Sequence, residues 1–295
     1  MAVHRRAYRP YEGPLTPERG RFLVVARYAL QELVESRVLM TFVVLCLVPF
    51  LAEAVGIYVA NSPPARALLK MSGGPDPMRA EFFAGTLTVQ GTLAFVLAAW
   101  VAPVFVSPDL VNGALALYLS RPLSRAEYVL GKATALAALL SLVTWVPVLA
   151  LFALQAGLAP GDWLFAHLRV AGATLLGSWI WIAVLTLLGL ALSAWIKLRL
   201  VASASLFAVF FVGSALGEVW RAALSDPWGR LLNLPYLIGV VWLDLFGIVP
   251  TPATGPQARP LTELPTWAAW SGLLATCILC LWLLDRRLRA REVVS

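Results

Sequence analysis

The sequence predicts an all-α, polytopic membrane protein with six transmembrane helices, an N-terminal interfacial helix and short outer helices between spans five and six. Three observations lead there. Apolar residues make up 60% of the 295 and charged residues 13%, against roughly one half and one quarter in soluble domains. The apolar residues gather into long runs, most of about 20 residues, the length that crosses a hydrocarbon core as a helix. Lys and Arg also alternate in density between successive connections, as they do where cytoplasmic loops collect positive charge.

The first 37 residues form a unit of their own, a cytoplasmic tail and an amphipathic helix, and residues 38–295 form the six-helix domain. Residues 1–20 are polar and proline-rich, with Arg5, Arg6, Arg9 and Arg19; no short apolar core with a small-residue cleavage site follows, so they do not read as a signal peptide. From Arg21 to Arg37, Phe22, Val25, Ala26, Ala29, Leu30 and Leu33 fall on one helical face and Arg21, Arg27, Gln31, Glu32 and Glu35 on the other. That pattern suits a helix lying in the membrane interface.

The first span is expected over about Val38 to Val59, kinked by Pro49, with Glu53 inside it. An outer loop containing Pro63-Pro64 and Gly73-Gly74-Pro75 leads to the second span, about Phe82 to Val106, whose polar member is Gln90. The third span is about Ala133 to Leu154, with Pro147 inside it, and the fourth about Val170 to Trp195. A short inner turn holding Lys197 and Arg199 precedes the fifth, about Leu200 to Trp220. Gly213 and Gly217 in the fifth span are a small-residue pair of the kind that allows close helix packing. Leu237 to Val249 is an apolar run of about 13 residues, too short to cross, and fits a re-entrant or interfacial helix. The sixth span is about Thr266 to Leu284, closed by Arg286, Arg287, Arg289 and Arg291. The 12 Trp residues suit belts at the two membrane surfaces.

Between spans two and three lies a polar island, Ser107 to Lys132. Ser107, Pro108 and Asp109 are a helix start, by side-chain cap, fixed φ and dipole respectively, and predict a helix to about Leu119. Pro122 enforces a turn. Ser124 and Glu127 form a capping box that starts the next helix, with Lys132 placed to snorkel at its foot.

Asp109, Gly113, Leu115, the run Ser120-Arg121-Pro122-Leu123-Ser124-Arg125-Ala126-Glu127-Tyr128 and Gly131-Lys132 resemble the signature loop of ABC type 2 transporter permeases. In that family an acid is followed by Gly-Thr-Leu, then Ser-x-Pro-(Ile/Val)-Ser-Arg-x-Glu and Gly-Lys, between the second and third spans. This chain carries Val111, Asn112 and Ala114 where the family often has an acid, a base and Thr. The resemblance implies a permease that pairs with a second copy or a related permease and is driven by a separate cytoplasmic ABC ATPase, which binds ATP and magnesium. It implies that Asp109, Asn112, Gly113, Arg121, Pro122, Ser124, Arg125 and Glu127 make or shape the ATPase contact. It also implies a bacterial-type inner membrane as the location.

The chemistry-bearing residues are few. Gly131-Lys132 is no phosphate-binding loop, because Ala126 stands at the first glycine and Ala133 at the magnesium-binding Ser/Thr. Cys277 and Cys280 have redox spacing, yet lie in an apolar span where two small buried residues are the plainer reading. His4 and His167 lie in separate segments, and no metal-binding pattern appears. Glu53 is costly in a span: it lines a substrate route or a dimer seam, or is an acid hydrogen-bonded near the outer end. Gln90, Gly213 and Gly217 are the other candidates for a route or seam. The expected function is the transmembrane subunit of an ATP-driven exporter, not itself an enzyme. The alternatives are an ATP-driven mechanical or cargo-handover complex acting on a periplasmic or surface partner, and a non-transport membrane scaffold. Nothing points to nucleic acid.

With the N-terminus inside, the inner segments hold seven Lys and Arg up to Arg37, three in the loop, two at Lys197 and Arg199 and four at the C-terminus, sixteen against seven outside. This expects both termini in the cytoplasm. Single cysteines near Pro75 and Pro256 are expected to react with an impermeant reagent from outside, and one near Ser120 only from inside. Outside labelling at 120, or no labelling at 256, overturns the topology.

Overall fold

The computed structural model describes residues 20–68, 79–107, 109, 124–159, 161–248 and 263–288. Every described element is helical, and six spans are long and apolar enough to cross a membrane. This is a multi-pass membrane architecture.

α1 (Arg21–Glu35) ends where Ser36 turns extended, and the Ser36 side chain then caps α2 (Arg37–Cys46) by accepting from Leu39 N at 3.4 Å. The first span is α2 followed by α3 (Val48–Asn61), broken at Leu47 two residues before Pro49. Proline in the first turn of a new helix is the expected site for such a break. A short α4 (Pro63–Leu68) follows, then the second span α5 (Ala80–Phe105). The third span starts earlier than expected, at the capping box, and is also broken: α6 (Arg125–Val143) and α7 (Trp145–Leu158) meet at Thr144, three residues before Pro147. After the one-turn α8 (Trp163–Ala166), α9 (Leu168–Trp195) and α10 (Arg199–Leu224) form spans four and five. A 3₁₀ turn, Pro227–Leu232, leads to α11 (Leu234–Phe246), and α12 (Thr266–Leu288) is the sixth span.

The core is built around α9, which packs on α5, α6, α7, α10, α11 and α12. In the most apolar stretches of the third and fourth spans 61% of residues are buried, against 17% in the first and 22% in the fifth, so the latter two lie at the periphery. Two indoles fasten the centre. Trp181 Nε1 donates to Gly91 O at 2.9 Å, and Trp242 Nε1 to Gly177 O at 3.0 Å. A methyl group on Gly91 or Gly177 would lie within 2.9 Å of the Trp242 ring. These two Trp residues are buried, so the expectation that all the tryptophans line the membrane surfaces is corrected: each indole has a backbone acceptor in the core.

The 13-residue helix occurs, three residues earlier than expected. Asn233 caps it by accepting from Tyr236 N at 3.0 Å, and Gly247, at φ 69°, ends it. Leu237 and Val241 are fully buried, and α11 packs on α9 and α12.

Gly213 and Gly217 face this same region. A methyl on Gly213 would sit 2.8 Å from Leu232 O, and one on Gly217 2.8 Å from Gly229 O. The pair therefore receives the backbone of the 3₁₀ turn within the same chain, not a helix of another copy. Beyond it Arg230, 5% exposed, pairs with Glu218 at 3.2 Å and Glu263 at 3.2 Å and lies over the Tyr236 ring.

Gly217→Leu is expected to destabilise the protein by about 1–3 kcal/mol, because the obstacle is backbone that cannot rotate away. Gly56→Ala, which meets nothing within 4 Å in α3, is expected to gain roughly 0.5–1 kcal/mol. Thermal unfolding in detergent checks both; equal shifts would remove the packing role of Gly217.

Candidate functional site

The ends of the polar island converge on one small polar anchor. At the end of the second span the backbone N–H groups of Val106 and Ser107 both point at Ser193 Oγ of α9, at 3.3 and 3.0 Å. Ser193 Oγ in turn donates to Pro103 O at 3.2 Å, and Ser107 Oγ donates to Lys197 O at 2.8 Å. These side-chain bonds take up backbone groups left without a helical partner where α5 ends.

Two residues further on, Asp109 turns back to α6. Its Oδ2 accepts from the Tyr128 hydroxyl at 2.7 Å and pairs with Lys132 Nζ at 2.9 Å. Tyr128 is fully buried and Lys132 is 7% exposed. The ammonium also lies 5.7 Å from the Phe105 ring and 5.8 Å from the Tyr128 ring. The expectation that Lys132 snorkels is thus corrected: a carboxylate within reach offers it a charged partner inside the protein. Asp109, expected to face an ATPase, spends one carboxylate oxygen on that internal anchor.

The capping box closes the other end of the island. Glu127 N donates to Ser124 Oγ at 3.2 Å, and Ser124 N to Glu127 Oε2 at 2.7 Å. Arg125, one residue beyond the cap, is exposed, and Glu127, three residues beyond it, is half-buried. The helix expected to Leu119, and with it Asn112, Gly113, Arg121 and Pro122, lies outside the described residues.

α1 completes the site. Val25, Ala26, Ala29 and Leu33 are its buried residues, with Phe22 and Leu30 partly buried, the same face read from the sequence. That face packs on α6. The two helices are in close contact at Gly131, where a methyl group would lie 2.7 Å from Phe22 O and 2.7 Å from Val25 Cβ. The glycine of Gly131-Lys132 thus seats α1 on α6, while the lysine next to it holds Asp109. Lys132, Tyr128 and Ser193 were not singled out as anchors; only the juxtaposition of three spans reveals them.

The remaining candidates lie away from this anchor. Glu53 reaches Thr86 of α5, and its Oε2 is buried with no hydrogen-bond partner among the described residues. Gln90 is fully buried, so it lies on no surface that a second copy could touch. Cys277 and Cys280 are free thiols.

Among the described residues, the two ends of the island form a joint with spans two, three and four, and α6 carries α1 at the same place. No family model matches the chain, and no curated protein matches it.

Breaking a buried pair from one side leaves the other charge stranded, at about 3–5 kcal/mol. Asp109→Asn and Lys132→Met are each expected to lower the unfolding temperature in detergent, and the double substitution to cost clearly less than the sum. Strict additivity would show that the pair does not hold the joint.

Proposed function

We infer that the chain is the transmembrane subunit of an ABC transporter, most simply an exporter, driven by a separate ATPase through residues 107–132. The observation that carries this reading is the likeness of Asp109 to Lys132 to the signature loop of ABC type 2 permeases. The joint agrees with such a role. A push on the segment between Asp109 and Ser124 would meet a short lever at each end: a carboxylate held by Tyr128 and Lys132, and a capped first turn of α6. Neither end dissipates the push by side-chain rotation, so displacement passes to spans two, three and four. Two-state helix movements of this kind are a recognised means of opening a route.

On this reading α1 lies along the cytoplasmic membrane surface, both termini are cytoplasmic, and two permease copies assemble with two ATPases. Asn112, Gly113, Arg121 and Arg125 would touch the ATPase, while Asp109, Ser124 and Glu127 would fix the angle at which the segment is presented.

Purified alone, the chain is expected to turn over no ATP. Isolated by an affinity tag from its native membrane, it is expected to bring down a protein carrying a phosphate-binding loop, in equal number. Ser124→Ala with Glu127→Ala removes a cap worth about 1 kcal/mol, too little to unfold six packed spans. It should leave that assembly intact and lower its ATP turnover in lipid. Nucleotide turnover by the isolated chain above a mock preparation, or unchanged turnover by the double variant, would count against the assignment.

A further inference from the structure

The first and third spans are broken at one level. Leu47 separates α2 from α3, and Thr144 separates α6 from α7. Each break leaves backbone carbonyls without a donor. Val143 O should accept from residue 147, but that residue is a proline without an N–H. Cys46 O lies at the end of α2, where the last carbonyls of a helix lack intrahelical partners.

Gln90 of the unbroken α5 stands between the breaks. Only acceptors surround the end of its amide that faces them, so the nitrogen belongs there. In that orientation Nε2 donates to Val143 O at 3.0 Å and to Cys46 O at 3.2 Å. One amide nitrogen has two hydrogens, and both are used. The side chain is 0% exposed, so neither bond is open to bulk solvent.

All four halves pack on α5, but the halves on either side of the breaks also have different partners of their own. Towards the polar island, α1 packs on α6 and leads through Ser36 directly into α2. At the opposite end α3 packs on α7, and Asn61 Nδ2 donates to Gln155 Oε1 at 2.8 Å. The first and third spans are therefore cut into a pair of halves near the island and a pair of halves far from it, with both cuts at Gln90.

We propose that the two breaks are hinges of one articulation and that Gln90 is its pin. Its two donated bonds hold both hinges at a single bend. If one span straightens or bends further without the other, the nitrogen loses one acceptor and leaves a bare carbonyl in a dry interior. The halves near the island therefore move as one body against the far halves, and the first and third spans bend together. This inference stands on the packing alone and does not require the transporter reading.

The test is hydrogen–deuterium exchange on the full-length chain in lipid nanodiscs, read over residues 44–52 and 141–149. Gln90→Leu keeps the volume and removes both bonds. It is expected to speed exchange at both segments together, by about tenfold. Thr92→Val, in the same helix with an exposed hydroxyl bonded to Thr88 O, is expected to change neither. Pro147→Ala restores an N–H that can close the ladder at Val143 O. In that background Gln90→Leu should still speed exchange over 44–52 and should barely affect 141–149. Should Gln90→Leu fail to accumulate, rescue of its yield by Pro147→Ala is the expected result. If the double variant also fails, the unmodified chain decides: the two segments should exchange at rates within about threefold of each other, as one opening event requires. Acceleration at only one segment, an undiminished effect over 141–149 in the Pro147→Ala background, or rates further apart in the unmodified chain would overturn the proposal.

Discussion

The centre of this protein depends on two missing side chains. Gly91 and Gly177 leave open the carbonyl oxygens that Trp181 and Trp242 grip through their indole nitrogens. The two rings meet edge to face at 6.3 Å, a favourable geometry for aromatic pairs. Helices in a membrane gain little by hiding apolar surface from one another, since lipid is as apolar as they are; close contact and hydrogen bonds must hold them instead. The indoles supply both. They fix α11, which cannot cross a membrane by itself, to spans two and four, and α11 in turn supports the 3₁₀ turn and the sixth span. The rest of the far end follows, including the Gly213–Gly217 surface and the charges around Arg230.

At the island end the same problem is solved with hydroxyls and one ion pair. Ser193 fills the gap at the end of the second span, and Lys132 neutralises Asp109 where neither reaches bulk water freely. A charge pair in such a place is a poor source of net stability, because desolvation offsets most of the attraction. Its value is positional. Asp109 can stand only where Lys132 and Tyr128 can both reach it, and that fixes where the island leaves the second span.

Much of the architecture was legible in the sequence because membrane spans announce themselves by length and composition. The capping box, the break near Pro49 and the buried face of α1 were legible too, each being a local pattern of a few residues. What escaped was the use of polar residues across spans. Gln90, Gly213 and Gly217 read as candidates for a route or seam because a sequence shows polarity and small size without showing the neighbour. Lys132 read as a snorkelling residue for the same reason: its partner is 23 positions away, past the end of the second span. The tryptophans were misjudged as a group, since position in a span says little about which side an indole faces. In each case the deciding fact is a three-dimensional adjacency of chemically complementary groups.

The dependence of Val143 O on Gln90 also orders the history of the two residues. A glutamine at 90 with alanine at 147 has lost nothing essential, because the helix closes its own ladder and the amide still has Cys46 O. A proline at 147 with leucine at 90 has a bare carbonyl and no donor. Single substitutions can therefore lead to the present pair through glutamine first, whereas the reverse order passes through a less stable ancestor, and proteins tolerate such intermediates only with stability to spare. Once both are present the glutamine is entrenched: it is harder to replace than when it arrived.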